Sequence, residues 1–209
     1  GGVAVGANVA VAKINTKNVA LVDTTGVHIT GNSMTVSAGT QENPYASSAK
    51  AHVATGSVGG IALVLNVAIA LNDAENQALI RGGGAMTLTQ ALVLQAHGTA
   101  RAQAVVAGIS ISVVSVNASV AVAKLTARQA AAIQGSGAYD LGSLHVSSKH
   151  NMAGAADHDY DALARIISGN GAAVGIGIST AIALADASGI ARVGAGILRV
   201  RGNLTVESI

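Results

Sequence analysis

The chain has 209 residues, half of them hydrophobic, yet it contains no Phe, no Trp, no Cys and only three Tyr. A core must therefore be filled by Ala, Val, Ile and Leu rather than by aromatic rings, and disulfides and Cys-based zinc sites are excluded. Charged residues make up 11% of the chain and leave a net charge of +2, with no aromatic interleaving on which bases could stack, so nucleic acid is not an expected partner.

The first segment, VAVGANVAVAKINTKNVALV, alternates small and β-branched residues, and its pattern returns three times. Asn8, Asn66, Ser119 and Ser179 fall in one column at spacings of 58, 53 and 60 residues. They are followed by VAVAKINTKNVALV, VAIALNDAENQALI, VAVAKLTARQAAAI and TAIALADASGIARV. Val11, Ile69, Val122 and Ile182 share a later column, and Ala at the intervening positions keeps a step of two, which is strand periodicity. The column Asn15, Asp73, Thr126 and Asp186 opens the stretches NTKN, DAEN, TARQ and DASG. Short polar side chains of this kind bond their own backbone, so a turn is expected here, with a second short strand at 19–22, 77–80, 130–133 and 190–193.

Gly-rich corners come next: DTTG, RGGG, QGSG and GAG. They lead into VHITGNSMTVSA, AMTLTQALVLQA, AYDLGSLHVSS and ILRVRGNLTVES, each reading as two short strands around a polar turn. A third alternating segment (SSAKAHVATG, GTARAQAVVAG, YDALARIISG) returns to the next copy. The copies divide the chain at about 1–57, 58–108, 109–170 and 171–209 within a single elongated domain. Each repeat fits either three triangular coils of about 18–20 residues or one wide, flattened coil.

ARQAAAIQ and YDALARII carry helical propensity, but period two, β-branched runs and Gly punctuation in every copy outweigh it. The run VVAGISISVVSVNASVAVAKL is apolar enough to suggest a membrane span. Ser and Asn recur at alternate positions within it, however, and a membrane barrel needs aromatic girdles that this chain cannot supply. No membrane insertion is expected. Parallel strands stacked about 4.8 Å apart satisfy the backbone without an aromatic core, and strand twist and crossover preference favour one hand. The expected fold is all-β: a right-handed parallel β-helix (β-solenoid) of four imperfect repeats, each partnered by the adjacent repeats of the same chain.

GNSMTVSA, GNLTVES, VAVGANVAVA, GAAVGIGISTAIALA and the Gly corners resemble the repeat regions of giant bacterial surface adhesins, the filamentous-haemagglutinin-like and autotransporter-type proteins of type V secretion. The resemblance covers essentially the whole chain. It implies a non-catalytic stalk segment, secreted or anchored at the cell surface, whose parent reaches a host or neighbouring cell through other parts. It transfers no catalytic residue. The chain begins and stops inside alternating runs, so exposed strand edges and end-to-end self-association are expected. The competing reading is a glycan-binding or polysaccharide-degrading β-helix protein, since fold alone does not decide function.

One stretch is chemically crowded: HNMAGAADHDYD. His150, Asp157, His158, Asp159 and Asp161 offer oxygen and nitrogen ligands for a divalent cation, and His158 between two carboxylates could serve as a base. Lys50, His52, Arg101 and Gln103 occupy outward alternates of the aligned strands, so the stretch reads instead as part of one solvated face. No catalytic, cofactor or metal residue is assigned. Gly175-Ile176-Gly177 lacks the rest of a dinucleotide fingerprint, no Gly-x-Ser-x-Gly elbow occurs, and the calcium-binding nonapeptide is missing. Thr87-Leu88-Thr89 is the only Thr-x-Thr, too little for an ice-binding array.

Overall fold

The computed structural model describes residues 2–151 and 161–209. The chain is all-β, with strands β1 Val3–Asp23, β2 His28–Gly31, β3 Met34–Ala38, β4 Tyr45–Arg81, β5 Ala85–Gln134, β6 Ala138–His150, β7 Ala162–Val193, β8 Ile197–Val200 and β9 Leu204–Ser208. All nine belong to one sheet whose path runs from β1 through β4, β5 and β6 to β8 without closing on itself. Every pairing in it is parallel.

The register follows the repeat. Asn8 pairs with Asn66, Asn66 with Ser119 and Ser119 with Ser179, and the β-branched column Val11, Ile69, Val122 and Ile182 aligns in the same way. Partners lie one whole repeat apart, not one third of a repeat. Each repeat is therefore one wide layer, and the division into three triangular coils is excluded. Within a layer a long strand comes first (β1, for example). Short strands follow it (β2 and β3), and then a return segment such as the first part of β4.

Two clusters fill the space inside the layers. Leu88, Leu92, Leu94, Ile80, Ile133, Leu141 and Val146 pack together where the end of the long strand meets the short strands. Ala49, Ala51, Ala68, Ala70, Ala102, Ala104, Ala121 and Ala123 pack with Val106 and Leu125 where its middle meets the return segment. A fully buried Leu or Ile contributes about 1.5–3 kcal/mol, and an Ala contributes much less. The second cluster thus relies on the continuous backbone ladder and on close approach of two Ala-lined walls.

The expected turns at NTKN, DAEN, TARQ and DASG do not form. Residues 15–18 keep parallel partners Asp73–Asn76, and those in turn pair with Thr126–Gln129. A neighbouring layer that offers a complete set of donors and acceptors removes the advantage of a local side-chain turn. The polar turn between short strands is present in the first and last layers, at 32–33 and 201–203. In the middle layers it is reduced to a register shift between Leu88 and Ala91.

The unequal repeat lengths are absorbed largely at one corner. Ala38 pairs with Ala96 and Tyr45 with Gly98, so six residues of the first layer stand against His97 alone. The third layer places its extra residues between His150 and Ala162. The Gly corners matter where layers touch. Gly135 has φ of +129°, and a Cβ there would collide with the carbonyl of Gly82 in the layer next to it.

Candidate functional site

Asp157, His158 and Asp159 of the crowded stretch lie outside the described residues. Of its other members, His150 closes β6 and Asp161 directly precedes β7. His150 does not sit on a solvated face as the sequence suggests: its side chain is only 8% exposed, with Nε2 3.9 Å from Asp161 Oδ2. Burial pushes its imidazole below the ordinary range, and the Asp161 carboxylate opposes that shift. Between them Asn151, at φ of +44°, accepts a hydrogen bond from the Ala100 amide at 2.9 Å and donates one to the Ala100 carbonyl at 3.1 Å. It also donates to the Asp161 carboxylate. Asn151 thereby stands in for a strand neighbour at the point where the chain leaves the ladder. Among the described residues no group of three or more His, Cys, Asp or Glu converges on a metal position.

A second cluster joins the same corner in the later layers. His97 Nε2 lies 2.6 Å from Ser147 Oγ, both buried. Lys149 Nζ is 2.8 Å from Glu207 Oε1, and His145 Nε2 is 3.7 Å from the same oxygen. Desolvation holds the His97 imidazole below its usual range, reinforced by the Lys149 charge. The hydrogen bond from Lys149 holds the Glu207 carboxyl low. A Ser beside a His is the arrangement of an activated nucleophile, but a nucleophile must be reachable, and Ser147 is fully enclosed. The cluster clamps three layers together. The sequence hint was present in HVSSKH, where polar residues occupy both phases of the strand alternation.

Polar ladders also run through the interior. Asn76 Nδ2 donates to Gln129 Oε1 at 2.8 Å, and Ser148 Oγ donates to the Gln129 carbonyl at 2.9 Å. Toward the fold end, Asn8 donates to Asn66 at 3.4 Å, and Ser110 lies 2.8 Å from Ser115 and 3.3 Å from Asn170. A cavity of about 10 Å³ among Thr55, Asn66, Ser110, Asn117 and Ser119 has room for about one water.

The outer face over this polar interior is apolar. Its columns are Val3, Ile61, Val114 and Val174, then Val5, Leu63, Val116 and Ile176, continuing to Val11, Ile69, Val122 and Ile182. Exposure here is not an effect of the stack ends. Leu63 at 40% and Val116 at 38% lie in middle layers with ladder partners on both sides. Beyond the columns at Val11 the face turns charged, with Lys13 and Lys17, Asp73 and Glu75, Lys124 and Arg128, and Asp186 in successive layers. On the return segment, Lys50, His52, Arg101 and Arg165 form a separate basic strip with a shallow groove between Lys50 and Arg101. No protein-family model, curated protein or solved structure matches the chain.

Proposed function

We propose that the chain is a right-handed parallel β-solenoid with one coil per repeat. In this reading it serves as a non-catalytic stalk segment of a secreted or surface-anchored filamentous bacterial adhesin. The observation that carries the proposal is the unbroken parallel register from repeat to repeat. An architecture in which each layer contacts mainly its neighbours extends by repetition and supplies length rather than a pocket. The enclosure of the His97–Ser147 pair supports a non-catalytic role. Among the described residues the strand edges at β1 and β7 have one ladder partner each, which supports end-to-end association along the axis.

The test is to delete one repeat from the parent protein and image the surface-displayed filaments. Shortening by about 4.8 Å per layer with binding at the tip retained supports a stalk. Loss of export-independent binding with unchanged length contradicts it. The basic strip Lys50, Arg101 and Arg165 favours a second reading, a glycan-binding or polysaccharide-degrading surface for an acidic glycan. Depolymerisation of such a glycan, abolished by changing Asp159 or Asp161, would establish that reading instead.

A further inference from the structure

Among the described residues nothing covers the apolar outer face, and its border carries an order that identifies a partner. Successive layers alternate in sign: Lys13 and Lys17 are positive, Asp73 and Glu75 negative, Lys124 and Arg128 positive, Asp186 negative. Part of this alternation is used within the ladder, where Lys17 Nζ lies 3.1 Å from Glu75 Oε2. Among the described residues, Lys13, Asp73, Lys124, Arg128 and Asp186 take part in no ion pair.

We propose that this face binds a second copy of the same chain, sheet against sheet, about a twofold axis running along the strands between the second and third layers. Such an axis keeps each column opposite itself and reverses the order of layers. Layer one then faces layer four, and layer two faces layer three. Glu75 then faces Arg128 directly, Asp73 lies one column from both Lys124 and Arg128, and Asp186 lies one column from both Lys13 and Lys17. A twofold axis along the stack would instead place each charged border over the partner's apolar end. The interface is isologous, so one self-complementary patch suffices.

The area is adequate for a specific contact. Four layers at about 4.8 Å and five columns at about 6.7 Å give roughly 600 Å² per copy, or about 1,200 Å² in total. The total lies at the lower bound of stable interfaces, and the area per copy lies at the upper end of the largest apolar patch on an ordinary monomer. A lipid surface fits less well. The chain has no Phe and no Trp for an interfacial belt, and a border that mixes both signs offers headgroups no uniform attraction. The proposal is independent of the stalk reading, since a lateral contact of this kind can form whatever the parent does.

Sedimentation velocity on the full chain over a roughly hundredfold range of concentration tests it, with circular dichroism as the folding control. Leu63 and Val116 face one another across the proposed axis. Leu63→Glu/Val116→Glu is expected to shift association to at least about tenfold higher concentration with unchanged strand signal, and Leu63→Glu/Val116→Lys to restore the wild-type concentration dependence. A wild-type chain that stays monomeric throughout overturns the proposal. So does a double-Glu variant whose concentration dependence matches that of wild type, because association then runs through the stack ends alone. Flotation of a monomeric wild-type chain with phosphatidylcholine vesicles, lost in the double-Glu variant, would assign the face to lipid instead.

Discussion

Replacing the buried amide ladder tests whether polar interior columns stabilise these layers or merely fit them. Asn76 and Gln129 are both about 1% exposed and share one hydrogen bond of 2.8 Å. Asn76 Oδ1 and Gln129 Nε2 have no partner among the described residues. Gln129→Met keeps the side-chain length. It removes one hydrogen bond, worth about 1 kcal/mol net, and relieves one orphan while creating another, at about 1–3 kcal/mol each. The single change should therefore destabilise by about 1 kcal/mol, and Asn76→Leu should do the same. The double variant loses the same single bond but removes both orphans and creates none, so it should be more stable than wild type by at least about 1 kcal/mol. Denaturant midpoints at constant m-value give the four corners of the cycle. A double variant that loses the sum of the single losses would refute the reasoning and show that the orphaned atoms are satisfied, by water for example.

Gly135→Ala, forced into φ of +129° against the Gly82 backbone, should lower stability by about 1–3 kcal/mol. Gly177→Ala, in a strand with nothing within 4 Å of its Cβ, should raise it by about 0.5–1 kcal/mol; thermal melts separate the two. Acid should destabilise in two stages. The imidazoles of His97 and His150 are held low, so the unfolded state takes up protons first and stability falls as pH drops below about 6.5. His97→Gln/His150→Gln should flatten that stage in a pH series of urea midpoints. The carboxyls of Asp23, Asp140 and Glu207 are also held low, chiefly by hydrogen bonds from Thr25, Arg201 and Lys149 respectively. Their stabilisation is present above the ordinary carboxyl range and is lost as pH falls below about 4. Arg201→Met should shift Asp140 back toward its usual range, which carbon-detected NMR titration reads directly.

The ladder columns were legible because period two and repeat spacing both survive in the residue types. Asn8, Asn66, Ser119 and Ser179 need only be aligned to predict their pairing. The missing turns at 15–18 and their equivalents were not legible. A turn propensity is local, whereas the stabilising partner of Asn76 is Gln129 in another layer. His150 was misplaced for a related reason: its neighbours in sequence are polar, but its side chain turns into the corner beside Asp161. The stack also reverses an ordinary expectation about polarity. Period two separates two faces without stating which one is inside, and hydrophobicity alone would bury the Val and Ile columns.

Placing the Ala, Gly and Ser columns inside instead makes geometric sense in a flattened layer. Two facing walls of Ala49, Ala51, Ala102 and Ala104 against Ala68, Ala70, Ala121 and Ala123 can approach more closely than walls of Leu. Close approach lets the whole repeat lie in one thin layer. The larger residues Val5, Leu63, Val116 and Ile176 are then left on the outside, where they cost solvation unless a partner covers them. The same choice that makes the stack thin therefore creates the apolar face, and a variant that thickens the interior tests the link. Ala102→Leu, buried between Ala49 and Ala162 on adjacent strands, should cost about 1–3 kcal/mol by overpacking. Ala118→Leu, on the outer face, should cost little. Equal losses at the two positions would mean that the Ala-lined walls are not in close contact, and the argument from thinness would fail.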